Sequence, residues 1–246
     1  MKATPFYLVL ILLFFAIESN AQIDTITVKT VPKKGLLKQA ILPIGLLTAS
    51  VLISNSTFEK SLQKDIRNSV GNDFSTNIDD FTGSIPIIQL YAADILGVKS
   101  KNHWFDQSKN LGLAILATNV ITVTLKKNIH KIRPNGDTDA ESFPSGHTSN
   151  AFTIATVLYE EFKDTSPILA YSGFAFATAT GTMRMMNNKH YLSDVLAGAG
   201  IGIFVTEVIY SFDPIIKWNP FRKTTNVTLL PQLGDNQKGV YLCIRF

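Results

Sequence analysis

Apolar stretches of helix length, broken by short clusters of basic, histidine and small residues, dominate this chain from Leu36 to Phe212. Such runs are too long for strands, and polar breaks divide them into separate elements. They extend from Leu36 to Ile53, Ile85 to Val98 with Asp94 inside, Trp104 to Leu125 with Gly112 inside, His147 to Phe162, Ile168 to Thr182 and Ser193 to Phe212. The segment Ser54 to Phe81 is polar, and its part from Thr57 to Asn68 alternates like a surface helix. Arg133 to Ser142 is a loop of Pro, Gly and Asp residues. Glycine and alanine are frequent in the last two runs, which lets helices approach closely. The expectation is an all-α fold, a bundle of about six helices occupying 36–215.

The two ends read differently. Lys2, the twelve apolar residues Phe6 to Ile17, and then Glu18-Ser19-Asn20-Ala21 have the layout of a signal peptide over 1–21, with cleavage after Ala21. A retained anchor is the alternative, although twelve residues fall short of the roughly 20 that span a bilayer. Residues 22–35 are polar, β-branched and irregular. In the tail, 216–246, Asn226 to Leu233 and Val240 to Phe246 are β-like and are separated by Gly234, Asp235, Asn236 and Gly239, which reads as a hairpin. Cys243 is the single cysteine, so no internal disulfide forms and packing must hold the fold.

Charged residues make up 17% of the chain, below the roughly 25% of an ordinary soluble domain. The chain is therefore core-rich or in contact with membrane. A net charge of +4 is too small and too scattered for a nucleic-acid binder.

Three clusters carry chemistry. Lys126 is followed after six residues by Arg133-Pro134. Pro144-Ser145-Gly146-His147 precedes an apolar run. Arg184 is followed after five residues by His190, and that after three by Asp194. Lys126, Arg133 and Arg184 offer positive charge and forked donors to an oxyanion. Ser145 and Gly146 open a helix, where free backbone amides favour anions. His190 and Asp194 share a face of a helix or its first turn, so the carboxylate can orient the imidazole as a nucleophile. His147 has no carboxylate at comparable spacing and suits proton donation and later activation of water. His103 and His130 read as structural or incidental, with His130 close enough in sequence to line the site rim.

These clusters, in this order at helix ends, resemble the three-part signature of the type 2 phosphatidic acid phosphatase and vanadium haloperoxidase superfamily. The likeness covers Lys126 to Asp194. It implies a helical fold of the acid phosphatase/vanadium haloperoxidase type and metal-free phosphoryl transfer through a phosphohistidine. It implies that Lys126, Arg133, Ser145, Gly146 and Arg184 bind phosphate, that His147 is the general acid, that His190 is the nucleophile and that Asp194 is its partner. One departure is Met183, which stands where the family pattern often has Ser and so removes one phosphate contact.

The expected activity is hydrolysis of a phosphate monoester or pyrophosphate of a lipid such as phosphatidic acid, phosphatidylglycerol phosphate, an isoprenoid pyrophosphate or lipid A. A soluble, broad-specificity periplasmic acid phosphatase is the alternative. A vanadium haloperoxidase would use the same pocket with vanadate as cofactor, but known haloperoxidases are much longer chains. For a phosphatase no metal or cofactor is expected, and vanadate should act as an inhibitor. The expected location is the periplasmic side of a bacterial envelope, membrane-associated or integral. If every run spanned, the first two clusters would face the cytoplasm. If Ile85–Val98, short and carrying Asp94, does not span, all three face outward.

Overall fold

The computed structural model describes residues 36–137, 141–213, 219–220, 227–234 and 237–244. The expected signal peptide and the 22–35 segment lie outside the described residues. Eight helices occur among the described residues: α1 (Leu36–Ile53), α2 (Thr57–Val70), α3 (Asp79–Thr82), α4 (Ile85–Ile95), α5 (Trp104–Asn128), α6 (Gly146–Phe162), α7 (Pro167–Met186) and α8 (Leu192–Phe212). Six of these are the expected apolar helices. The other two, amphipathic α2 and the single turn α3, belong to the polar stretch between α1 and α4. A hairpin follows, β1 (Val227–Gly234) antiparallel to β2 (Gln237–Ile244), with Val227 opposite Ile244. Its strands differ from the expected ones by up to three residues.

Local sequence accounts for the helix limits. Ser56 caps α2 by accepting from the Glu59 amide at 3.1 Å, and Gly71 ends it at φ 90°. His103 caps α5 through Nδ1, which accepts from the Phe105 amide at 3.3 Å, so this histidine is structural. Pro86 and Pro167 lie in the first turns of α4 and α7, where a missing amide hydrogen costs nothing.

Helix α6 is the centre of the bundle and packs against α4, α5, α7 and α8. A Cβ on Gly198 would stand 2.8 Å from the Ser145 carbonyl oxygen, and one on Gly202 would stand 2.5 Å from that of Ser149. These glycines therefore set how closely α8 lies on α6. Thr118 and Thr153 join α5 to α6 through a buried 2.9 Å hydroxyl pair. Apolar packing by Leu90, Leu111, Val157, Leu158, Phe162 and Tyr210 fills the half of the bundle away from the start of α6.

Helices α5 and α8 are long and apolar enough to cross a membrane, and α1 with α2 forms a candidate broken span bent by 93°. Twenty-five residues make α5 about 37 Å long, more than the roughly 30 Å hydrocarbon thickness. Leu116, Val120 and Val123 form an exposed stripe along it, as Ile41, Leu42 and Leu52 do on α1. Water does not favour so much uncovered apolar surface, and acyl chains do. This is the build of a membrane-associated protein. By contrast, α4 has eleven residues and is too short to span. The clusters lie at the end of α5, the start of α6, the end of α7 and the start of α8, all at one end of the bundle.

Candidate active site

Asp194 is the hub. It sits in the first turn of α8, fully buried. Its Oδ2 accepts from the Tyr191 amide at 2.7 Å and the Ser142 hydroxyl at 2.5 Å. Its Oδ1 accepts from Lys131 Nζ at 2.8 Å. The Ser145 amide donates to the Asp194 carbonyl at 3.0 Å, which ties the second cluster to the third. A buried carboxylate needs this many donors to remain ionised.

Lys131 was not singled out by sequence reasoning, and it is the cation that pairs with Asp194. It is 5% exposed and also donates to both Glu59 carboxylate oxygens at 3.1 Å and to Ser193 Oγ at 2.6 Å. Glu59, from α2, in turn accepts from the Ser193 amide at 3.0 Å. One cation between two carboxylates binds α2, the post-α5 loop and α8 into one buried polar knot. A further lysine inside the spacing of the first cluster was the only available signal. Glu59 lies in no motif.

His190 follows the tight α7–α8 turn, in which Asn188 adopts φ 56°. It is 1% exposed. Burial, opposed by the Asp194 charge, pushes its pKa down to about 4, so it is neutral at pH 7. Its Nδ1 stands 3.7 Å from Asp194 Oδ2 and has no hydrogen-bond partner. The pair thus meets as the spacing implied, at a separation that a slight ring shift would shorten to a hydrogen bond. With Nδ1 facing the carboxylate, Nε2 is the ring nitrogen turned away from it.

His147 does have a carboxylate partner, contrary to the reading from its spacing. Asp80 of α3 places Oδ1 3.0 Å from His147 Nε2. The sequence separation hid it, because α3 is an isolated turn in the polar segment. Burial and the nearby Arg184 lower the pKa of this half-exposed imidazole, while Asp80 and Asp79 raise it. The adjacent Asp79 is buried and holds Arg184 Nη1 at 2.6 Å. Asn187 braces Asp79 from the side at 3.0 Å.

The three cations converge. Burial first, and then Arg184, depresses the pKa of Arg133. Arg133 Nε and Arg184 Nε are both buried without a partner. Unsatisfied buried donors are costly, and an oxyanion would satisfy them. Lys126 Nζ donates to the Glu141 carbonyl at 2.7 Å. Ser145, fully buried, exchanges a 2.9 Å hydroxyl contact with Thr148, and Gly146 begins α6. His130 turns outward to Glu141 at 2.8 Å and is largely exposed. A buried neutral imidazole beside a carboxylate, a second imidazole and three cations at a helix start define the class of site that can carry a phosphoryl group.

Residues 108–218 match the model of the PAP2 superfamily, so this core is similar to that family. The Lipid A 1-phosphatase of Porphyromonas gingivalis is 33% identical over 192 residues, 77% of this chain. The chain spans 41% of the length of that relative. The crystal structure of the first transmembrane PAP2 type phosphatidylglycerolphosphate phosphatase, from Bacillus subtilis, shares the helical fold. It has a TM-score of 0.50 at 18% identity and covers 74% of this chain and 99% of its own. Aquifex aeolicus LpxE aligns with a TM-score of 0.47 at 26% identity, over 65% of this chain and 98% of its own.

Proposed function

We propose that the chain is a lipid phosphate phosphatase working through a phosphohistidine. The observation that carries this reading is His190, buried and neutral against Asp194, in a site with two unsatisfied arginine donors. Arg133, Arg184 and Lys126, with the amides at the start of α6, hold the non-bridging phosphate oxygens. His190 Nε2 attacks phosphorus while His147 protonates the leaving oxygen. His147 then takes a proton from water, which attacks the phosphohistidine and releases phosphate. The growing equatorial charge of the transition state is met by fixed cations, which need no reorganisation.

The exposed apolar stripes on α1 and α5 favour a lipid substrate over a soluble ester. All three clusters lie at one end of the bundle, and the non-spanning α4 allows that end to face the periplasm. The similarity to a Lipid A 1-phosphatase makes the glycosidic phosphate of lipid A the first substrate to try. Phosphate release from lipid A, phosphatidic acid and p-nitrophenyl phosphate by the purified protein tests the reading. Turnover of a lipid at least tenfold faster than of the soluble ester is expected, and hydrolysis of the soluble ester alone would point to a general acid phosphatase.

A further inference from the structure

A polar groove of about 340 Å³ is lined by α2 and Asn72 on one side and by Pro134, Asn188 and Tyr191 on the other. Those last three residues are chain neighbours of Arg133 and His190, so one wall of the groove is carried by the segments that hold these two residues. Along α2, Lys60, Lys64 and Asn68 recur every four residues and share one face. Both lysines are exposed. Arg67 also lines the groove and is fixed by donating to the carbonyls of Phe74 and Met186, each at 2.9 Å, and to that of Asn72. None of the groove-lining residues is acidic.

Gln63 adds a second, independent observation. It is 5% exposed, and its amide nitrogen is committed to the Met185 carbonyl and to Asn188 Oδ1, both at 2.9 Å. Its Oε1 is buried and has no partner. An unpaired acceptor in a basic groove calls for an occupant that combines negative charge with a hydrogen-bond donor. A phosphorylated or carboxylated sugar-like headgroup would satisfy both.

We infer that this groove seats the part of the substrate headgroup remote from the scissile phosphate, and that this part bears a second anionic group alongside hydroxyl or amide donors. The inference rests on the phosphatase reading above and narrows its substrate class. Lys60 and Lys64 meet the second anion, and Gln63 accepts from a neighbouring hydroxyl or amide. The scissile phosphate remains with Arg133 and Arg184. Such a groove discriminates between lipids that present the same scissile bond.

The test compares two lipids in neutral detergent micelles, a disaccharide lipid carrying two phosphates and the same lipid carrying the scissile phosphate alone. The wild type should favour the two-phosphate lipid in kcat/KM. In the Lys60→Ala/Lys64→Ala double variant that preference should fall about tenfold through KM, as expected for losing two partly solvated ion pairs. Lys64→Glu should depress it further, and both effects should weaken with added salt. A wild type indifferent to the second phosphate, or a double variant that loses equally on both lipids, overturns the inference. Repeating the assay in anionic phospholipid vesicles separates the other role open to surface lysines. A loss seen only there, and equal for both lipids, would assign the lysines to the bilayer surface and overturn the headgroup site. Failure of the wild type to release phosphate from any substrate strikes instead at the phosphatase reading itself, and this inference falls with it.

Discussion

The ammonium of Lys131 stands 2.8 Å from Oδ1 of Asp194, 63 residues further along the chain, with both side chains buried. This contact, with those from Ser142 and Tyr191 and without a hydrogen bond from His190, anchors the carboxylate that faces that imidazole. Lys131 also pairs with Glu59, so removing it takes from two buried carboxylates the cation they share. Lys131→Met should therefore destabilise the protein by about 3–5 kcal/mol, the usual cost of breaking a buried pair by deleting one partner. Urea or thermal unfolding in detergent measures it. A loss below about 1 kcal/mol would show that water reaches the knot.

His190 links activity and stability to pH. Its pKa falls from 6.5 in the unfolded chain to about 4 in the folded one. The native state therefore resists protonation that the unfolded state accepts. Stability from the neutral imidazole is complete above about pH 6.5 and is lost as pH falls towards 4. A difference of 2.5 units corresponds to about 3 kcal/mol. Unfolding midpoints from pH 7 to 4 should fall less steeply for His190→Gln than for the wild type. The acid limb of kcat/KM should lie near pH 4 rather than 6.5.

Asp80 is expected to set the opposite limb. Its carboxylate raises the His147 pKa against burial and Arg184. His147 must be protonated to donate, so the alkaline limb of kcat/KM follows its pKa. Asp80→Asn removes the charge while keeping a hydrogen-bonding group, and should move that limb to lower pH. The acid limb set by His190 should stay in place. A parallel shift of both limbs, or of neither, would show that Asp80 does not act through His147.

Legibility in the sequence followed the range of the interaction. Helices were readable because their apolar runs are local, and the errors fell at ends such as Leu125, where the turn through Asn128 is polar. The motif residues were readable because type and spacing carried them. Lys131, Glu59, Asp79 and Asp80 were not. Their roles depend on partners 63 to 134 residues away, reached only once α2 and α3 fold across the end of the bundle. The unshared oxygen of Gln63 was similarly invisible, since one short amide in an amphipathic helix has no pattern.

Metal independence is an expectation of the mechanism and needs its own experiment. Phosphate charge is assigned to Lys126, Arg133 and Arg184, so EDTA should leave activity within about twofold, there being no metal charge to replace. Orthovanadate should compete with substrate, because it adopts the five-coordinate geometry of the transition state. Activity lost on chelation and restored by magnesium would refute the phosphohistidine route.

The two imidazoles should fail in different ways when removed. His190→Ala should abolish turnover and covalent labelling together, because it removes the imidazole assigned to attack phosphorus. His147→Ala should slow hydrolysis of an ester with a poor leaving group by roughly 10²–10⁴-fold, the usual contribution of a general acid. With p-nitrophenyl phosphate the leaving group needs little protonation, so His147→Ala should still form the phosphoenzyme. It should then hydrolyse it slowly, because the base that activates water is the same missing imidazole. Rapid quench would record this as accumulated acid-labile, alkali-stable phosphate. Asp80→Asn should accumulate less, since it perturbs His147 without deleting it. Label persisting in His190→Ala and absent in His147→Ala would exchange the two roles, with Asp80 then serving as the carboxylate behind the nucleophile.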